Sequence, residues 1–329
     1  MMKFLRLDGF ILAMIVAVIA GLLLPEWGAK GGWLHLDIVT AIGIGIVFFL
    51  HGANLSPSAV TAGAANWRLH VFVHASTFVL FPAIGFAVFF ATGGVLPEEV
   101  RLGFFFLCAL PSTISTSVAM TAMGRGNVAG AIFDATLSGL IGMVLTPVLI
   151  SLVVSASSGH LPLGPAILDV MIKLLLPFAA GQALRPLIGK FIARHKPWIS
   201  KTDRTVVLLI VYAAFCESTL AGLWTQYDPM LIAGIVLMTS ALLIVVLTVT
   251  VFMARRLRFS REDEVAAVFC GSKKSLANGA PIAAVLFAGH PAMGMLMLPI
   301  MIYHQVQLVV CTFMAKRYAE KAEAAELRE

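Results

Sequence analysis

The residues from Gly271 to Asn278, GSKKSLAN, gather the reactive groups of this chain into one short run: adjacent lysines, a serine on either side of them, and a carboxamide. Ammonium groups among hydroxyls can bind an anion, or can themselves occupy the place of a cation. A second run, Cys108 to Ala122, sets Ser112, Thr113, Ser115, Thr116 and Ser117 directly after Pro111. An intramembrane serine hydrolase would need a nucleophile with its base and an orienting acid, and no such spacing occurs, so the chain is read as a non-enzyme. His70 and His74 have the i, i+4 spacing of metal ligands. No cysteine or carboxylate cluster accompanies them, so packing or hydrogen bonding is expected and no metal or cofactor is assigned. Asp134 is an intramembrane carboxylate, a functional candidate or half of a structural ion pair.

Both polar runs lie inside apolar stretches, Val265 to Phe287 and Leu102 to Met123. Hydrocarbon satisfies neither buried charge nor free backbone groups, so such segments survive only facing protein or a water-filled cavity. Pro111 removes a backbone donor and Gly271 weakens its helix, so a break is encoded in each span. Paired interruptions of this kind point to a transporter site at the bilayer midplane.

Composition agrees with a membrane protein, since 60% of the 329 residues are hydrophobic and 12% charged, with a mean hydropathy of +0.95. The net charge of +6 is concentrated in loops, which reads as topology and not as nucleic-acid binding. The four cysteines stand alone in apolar runs, which excludes a disulfide framework or metal cluster. Windows of about 17 to 25 apolar residues give about ten spans, all α-helical, with bilayer lipid as their surroundings. Arg68, Arg125, Arg185 to Arg204 and Arg255 to Arg261 fall on one side, and Glu26, Asp37, Glu98, Glu99 and Asp228 on the other. Positive-inside then places both termini in the cytoplasm, and the protein in the cytoplasmic, or inner, membrane. We read one transmembrane domain over residues 1–329, built from inverted five-helix repeats at 8–155 and 165–316. The fourth and ninth helices are then the broken ones, expected to cross near Pro111 to Ser115 and Gly271 to Ser275. Pro147 and Pro299 are expected to interrupt the spans that follow. The glycines of Ile42-Gly43-Ile44-Gly45 are expected to permit close packing, and Asn54 and Ser56 to cap a helix or line the inner vestibule.

Phe48 to Pro57 (FFLHGANLSP), Thr77 to Pro82, Leu110-Pro111-Ser112-Thr113, Gly124 to Asn127 (GRGN) and Gly271 to Ala277 (GSKKSLA) resemble the bile acid:sodium symporter family, in its divergent SBF-like branch. The likeness runs over nearly the whole chain. It implies a core with crossing helices four and nine, and a panel of spans one, two, six and seven. In the symporters, sodium sits behind the crossover on a Ser-Asn pair, later hydroxyls, and a Glu and a Gln of the ninth helix. Here the pair falls near Thr116 and Ser117, the later hydroxyls near Ala131 and Ala135 beside Asp134 and Thr136, the glutamate on Phe269 and the glutamine on Lys273.

Exchanging an anionic oxygen ligand for phenylalanine and adding an ammonium works against a sodium site. Lys273 or Lys274 is therefore expected to act as the built-in counterpart of sodium. Lys273 is expected to pair with Asp134, and Lys274 to face the substrate cavity. The candidate substrate and ion site comprises Pro111, Ser112, Thr113, Ser115, Thr116, Ser117, Asp134, Thr136, Gly271, Ser272, Lys273, Lys274, Ser275 and Asn278. The expected function is sodium-independent transport of a small or amphipathic organic anion. The alternatives are a proton- or cation-coupled exchanger and a membrane regulator of ion homeostasis that carries no solute.

Overall fold

Every regular element in the computed structural model is a helix among the described residues, which are 9–55, 63–158 and 163–326. Lys3, Arg6, Ser56 and Pro57, and with them the vestibule reading of Ser56, lie outside the described residues. In chain order the main helices are α1 (Gly9–Leu23), α2 (Leu36–Asn54), α3 (Trp67–Ala91), α4a (Glu98–Ala109), α4b (Ile114–Met123), α5 (Val128–Ser158), α6 (Leu163–Arg194), α7 (Lys196–Leu220), α8 (Pro229–Arg256), α9a (Arg261–Ser272), α9b (Leu276–Leu286) and α10 (Met293–Glu326).

Six of these are long and apolar enough to cross a membrane among the described residues, or seven if the bent α4 pair is one span, against about ten read from the sequence. The remaining expected spans fall short for local reasons. The described part of α1 has only 15 residues, α7 opens with Lys196, Lys201, Asp203 and Arg204, and α9 is divided by its lysines. Pro147 and Pro299 interrupt nothing, because α5 and α10 run through them as continuous helices.

The chain divides into two units. The first contains Met1–Asn54, Leu168–Leu231 and Ala280–Met297, so it gathers α1, α2, most of α6 and α7. Within it α7 packs on both α1 and α2. Gly43 faces Val206 so closely that an added Cβ would lie 2.9 Å from a valine methyl, whereas Gly45 opens onto empty space. Close packing is therefore the role of the first glycine only. The tightest approach is reciprocal: Gly52 of α2 lies on the Phe178 carbonyl of α6, and Gly181 of α6 on the Phe49 carbonyl of α2. Small residues let membrane helices approach this closely. Gly181→Leu should therefore force α2 and α6 apart and sharply reduce the monodisperse peak in size-exclusion chromatography. An unchanged elution profile would show that the contact is dispensable.

The second unit contains Leu55–Ile167, Ile232–Gly279 and Leu298–Glu329, and it holds both breaks. Its packed centre includes Leu69 and Val73 of α3, Ala131 of α5, Ala254 of α8, and Ala266, Ala267 and Cys270 of α9a, all fully buried. Small side chains at these positions bring the helices together. α9a starts firmly because Ser260 accepts from the Asp263 N–H at 3.1 Å, and Glu262, Asp263 and Glu264 sit at the positive end of its dipole.

Candidate functional site

The first break follows from Pro111. The residue before a proline avoids the α region, and Leu110 is extended at φ −69, ψ 153. The chain turns through residues 110–113 and resumes as α4b, bent by 57° from α4a. In the ninth helix, Lys273 is extended at φ −92, ψ 146, and the helix restarts at Leu276. The two breaks meet, with the Ser275 N–H donating to the Pro111 carbonyl at 3.1 Å. The expected crossing near Pro111 to Ser115 and Gly271 to Ser275 is present.

A helix that ends in a membrane leaves four carbonyls without donors, and burial there makes each of them costly. At the end of α9a every one is satisfied by a different hydroxyl. Ser117 donates to Phe269 O (3.2 Å), Ser112 to Cys270 O (2.7 Å), Ser76 to Gly271 O (2.8 Å) and Tyr303 to Ser272 O (2.7 Å). The freed Lys274 N–H donates to Gln307 Oε1 at 3.0 Å, and Gln307 Nε2 donates back to Lys274 O at 2.8 Å. On the other chain segment, Ser138 accepts from the Ser112 N–H (2.9 Å) and Thr146 donates to Ala109 O (2.8 Å). Ser112 and Ser117 are thus caps of the broken helix.

The Lys274 side chain is fully buried and its Nζ donates to three carbonyls: Thr77 at 3.0 Å, Cys108 at 2.8 Å and Leu110 at 2.6 Å. Three acceptors on one amine require three N–H bonds, so the group is an ammonium. It also stands 4.0 Å from the ring centroid of Phe81, a cation–π distance. Each carbonyl is available for a reason written in the chain. Cys108 and Leu110 lie at the C-terminal, negative end of α4a, where the next backbone donors are lost to Pro111 or diverted, as the Ser112 N–H is to Ser138. Thr77 lies in a π-helical turn, Ser76–Leu80, in which the Phe81 N–H reaches back to Ser76 O. The donor that would follow in that pattern belongs to residue 82, which is proline, so Thr77 O has no backbone donor. The lysine supplies it.

Lys273 is also fully buried, but its Nζ makes one hydrogen bond, to Thr116 O at 3.1 Å. Its expected pairing with Asp134 is absent, because Asp134 Oδ1 is bonded to His70 Nδ1 at 2.8 Å. The expectation that Lys274 faces a cavity is likewise overturned: it is the more heavily coordinated of the two. The error lay in taking the lysine's partner from the family pattern, which gave no sign that His70 already holds Asp134.

The other candidates separate accordingly. Thr113 is buried and receives a long hydrogen bond from the Thr116 hydroxyl (3.4 Å), Ser115 is exposed, and Thr136 is half-buried on α5. Ser275 accepts from the Asn278 N–H at 3.1 Å, capping α9b. Ser272 bonds back to Val268 O within its own helix, and Gly271 gives Ser76 room to reach its carbonyl. Sequence reasoning missed Ser76, Thr77, Ser138, Thr146, Tyr303 and Gln307, each a polar group inside an apolar helix. That intramembrane polarity was the available signal.

Comparison with known proteins gives one consistent answer. The profile of the SBF-like CPA transporter family matches residues 8–320. A Pseudomonas aeruginosa protein, PA2026, is 44% identical over 97% of this chain and 95% of its own length. The Escherichia coli K12 protein named "Putative symporter YfeH" is 43% identical over the whole chain and 98% of its own. The mouse sodium/bile acid cotransporter 7 is 30% identical over 93% of this chain and 90% of its own. Its helices, its crossing breaks and these relatives together make this chain a multi-pass membrane transporter that belongs to the SBF-like CPA transporter family.

Proposed function

We propose that the protein is a secondary transporter of a small or amphipathic organic anion in the cytoplasmic membrane, with both termini on the cytoplasmic side, and that it works without sodium because Lys274 takes the part of the cation. The observation that carries this reading is the three-carbonyl cage around the Lys274 ammonium. Converging carbonyl oxygens at the negative end of a half-helix are what a sodium ion uses in a broken-helix carrier. A covalently attached charge in that place cannot be exchanged with solvent, so a sodium gradient has nothing to act on here.

The substrate class is argued from charge. Beyond the crossing, α4b and α9b begin with the positive ends of their dipoles, at Thr113 to Ser115 and at Leu276 to Ala277, where the first-turn N–H groups have no partner within their own helix. Thr113, Ser115, Thr116 and Asn278 supply side-chain polar atoms beside these ends. An anionic head group is complementary to such a site, and the name of the cotransporter relatives fits an amphipathic acid.

The test is uptake into proteoliposomes of labelled taurocholate and of short mono- and dicarboxylates, in sodium and in choline buffers. Saturable uptake of equal size in both buffers is expected. A steep, saturable sodium dependence would overturn the assignment of Lys274, and absence of any uptake above empty liposomes would overturn the carrier reading for these acids.

A further inference from the structure

We propose that Asp134, His70 and His74 form a proton-binding site within the second unit, and that its protonation state decides whether His70 can hold Asp134 of α5 and the Gly63 carbonyl at the same time. Asp134 of α5 is fully buried, with Oδ1 at 2.8 Å from His70 Nδ1. The other ring nitrogen of His70, Nε2, lies 2.9 Å from the carbonyl oxygen of Gly63. A carbonyl carries no hydrogen, so Nε2 must be the donor there. On the other side, a bare nitrogen lone pair cannot face a carboxylate oxygen at hydrogen-bonding distance. A hydrogen therefore lies between Nδ1 and Oδ1, whichever atom it is attached to. A neutral histidine with its single hydrogen on Nε2, beside a carboxylate, has none to place there. The pair holds one proton more than that state.

Loss of this proton leaves a single ring hydrogen for two acceptors, so one of the two contacts of His70, to Asp134 of α5 or to the Gly63 carbonyl, must open. The other members have capacity to receive a proton in transit. Asp134 Oδ2 and both ring nitrogens of His74 are buried without a hydrogen-bond partner, and His74 Nε2 stands 3.6 Å from Oδ1. His74 has the largest side-chain exposure of the three, 16% against 10% and 0%, which places it toward the outside of the cluster.

No neighbouring group supplies the missing charge in their place. From α9, Asp263 is held by Asn66 and Asn127 at 2.6 and 2.8 Å, Cys270 donates its S–H to Ala131 O at 3.8 Å, and Lys273 donates to Thr116 O. The Phe133 ring packs on His70, with centroids 4.1 Å apart, and Phe78 stacks on His74. Coupling of this site to solute movement rests on the carrier reading above; the proton count does not.

The experiment compares wild type with Asp134→Asn. The amide can donate Nδ2–H to a bare His70 Nδ1 while Nε2–H keeps Gly63, so this variant satisfies the same geometry as a neutral pair and should fold. A proton held by the folded pair and not by the unfolded chain makes the thermal midpoint in detergent fall as pH rises, because the unfolded state then binds fewer protons than the native one. Asp134→Asn should lack this component, and indicator titration should find about one proton per chain fewer released on a jump to alkaline pH. Parallel melting curves with equal proton release would overturn the site. His70→Gln, which also removes the titrating ring, serves if Asp134→Asn does not fold, and the same two outcomes decide. Taurocholate uptake under an imposed pH gradient then separates the two proposals. A pH-dependent difference in stability with no uptake leaves the proton site standing and removes the carrier reading for taurocholate; uptake with parallel melting curves does the opposite.

Discussion

Lys274→Met should destabilise the protein by about 3 to 5 kcal/mol, since it leaves three buried carbonyls without their donor at about 1 to 3 kcal/mol each while relieving the desolvation of the ammonium. Lys273→Met should cost about 1 to 2 kcal/mol, the value of a single buried hydrogen bond left unmade. Methionine approximates the length of the apolar stem in both cases, so the comparison isolates the ammonium. At Lys274 three carbonyls lose their donor together, among them Thr77 O, for which Pro82 leaves no backbone alternative. The favourable interaction with the Phe81 face is lost as well. At Lys273 only Thr116 O is left, and α4b at that point is half-buried. Thermal unfolding of both variants in one detergent, followed by tryptophan fluorescence, gives the ranking. Equal losses, or a larger loss for Lys273→Met, would mean that the carbonyl cage is not what holds the crossing.

Much of this arrangement could be read before any coordinates, because its causes are local. Pro111 and the lysine run each announce a break inside an apolar span, and hydrocarbon tolerates such a break only where protein covers it. What could not be read was which group satisfies which. Ser112 and Ser117 looked like ligands, yet they complete α9a across sequence separations of 158 and 152 residues. Spacing along one helix carries no information about such partners. The vacancy at Thr77 O depends on two coincident features, the π turn and Pro82. The partners of Lys273 and Lys274 were misassigned: neither meets Asp134, and both ammonium ends are held by backbone carbonyls from distant segments. His70 was read as a hydrogen-bonding core residue, which it is; its partner, 64 residues away on α5, was instead given to the lysine.

Gln307 gives the second large effect, and its position in α10 makes it a test of how the break is held open. Its amide meets both backbone groups of Lys274, accepting from the N–H at 3.0 Å and donating to the carbonyl at 2.8 Å. These are the groups that an unbroken ninth helix would pair within itself, and both are buried. Gln307→Leu keeps the volume and removes both partners, leaving two backbone groups unsatisfied in an apolar interior. At about 1 to 3 kcal/mol each, the loss should reach about 2 to 6 kcal/mol. The neighbouring Tyr303 would still hold Ser272 O at 2.7 Å, so the break should loosen at residue 274 and not along its whole length. A loosened backbone there moves the Lys274 stem, and the ammonium can no longer meet all three carbonyls. The Lys274→Met and Gln307→Leu losses should for that reason be less than additive, by an interaction on the order of 1 kcal/mol, as for residues sharing one network. A double-mutant cycle by thermal unfolding measures this directly. A Gln307→Leu loss within about 0.5 kcal/mol of zero, the range of ordinary surface changes, would show that the amide is not required at the break. Strict additivity would show that the backbone clamp and the carbonyl cage are separate devices.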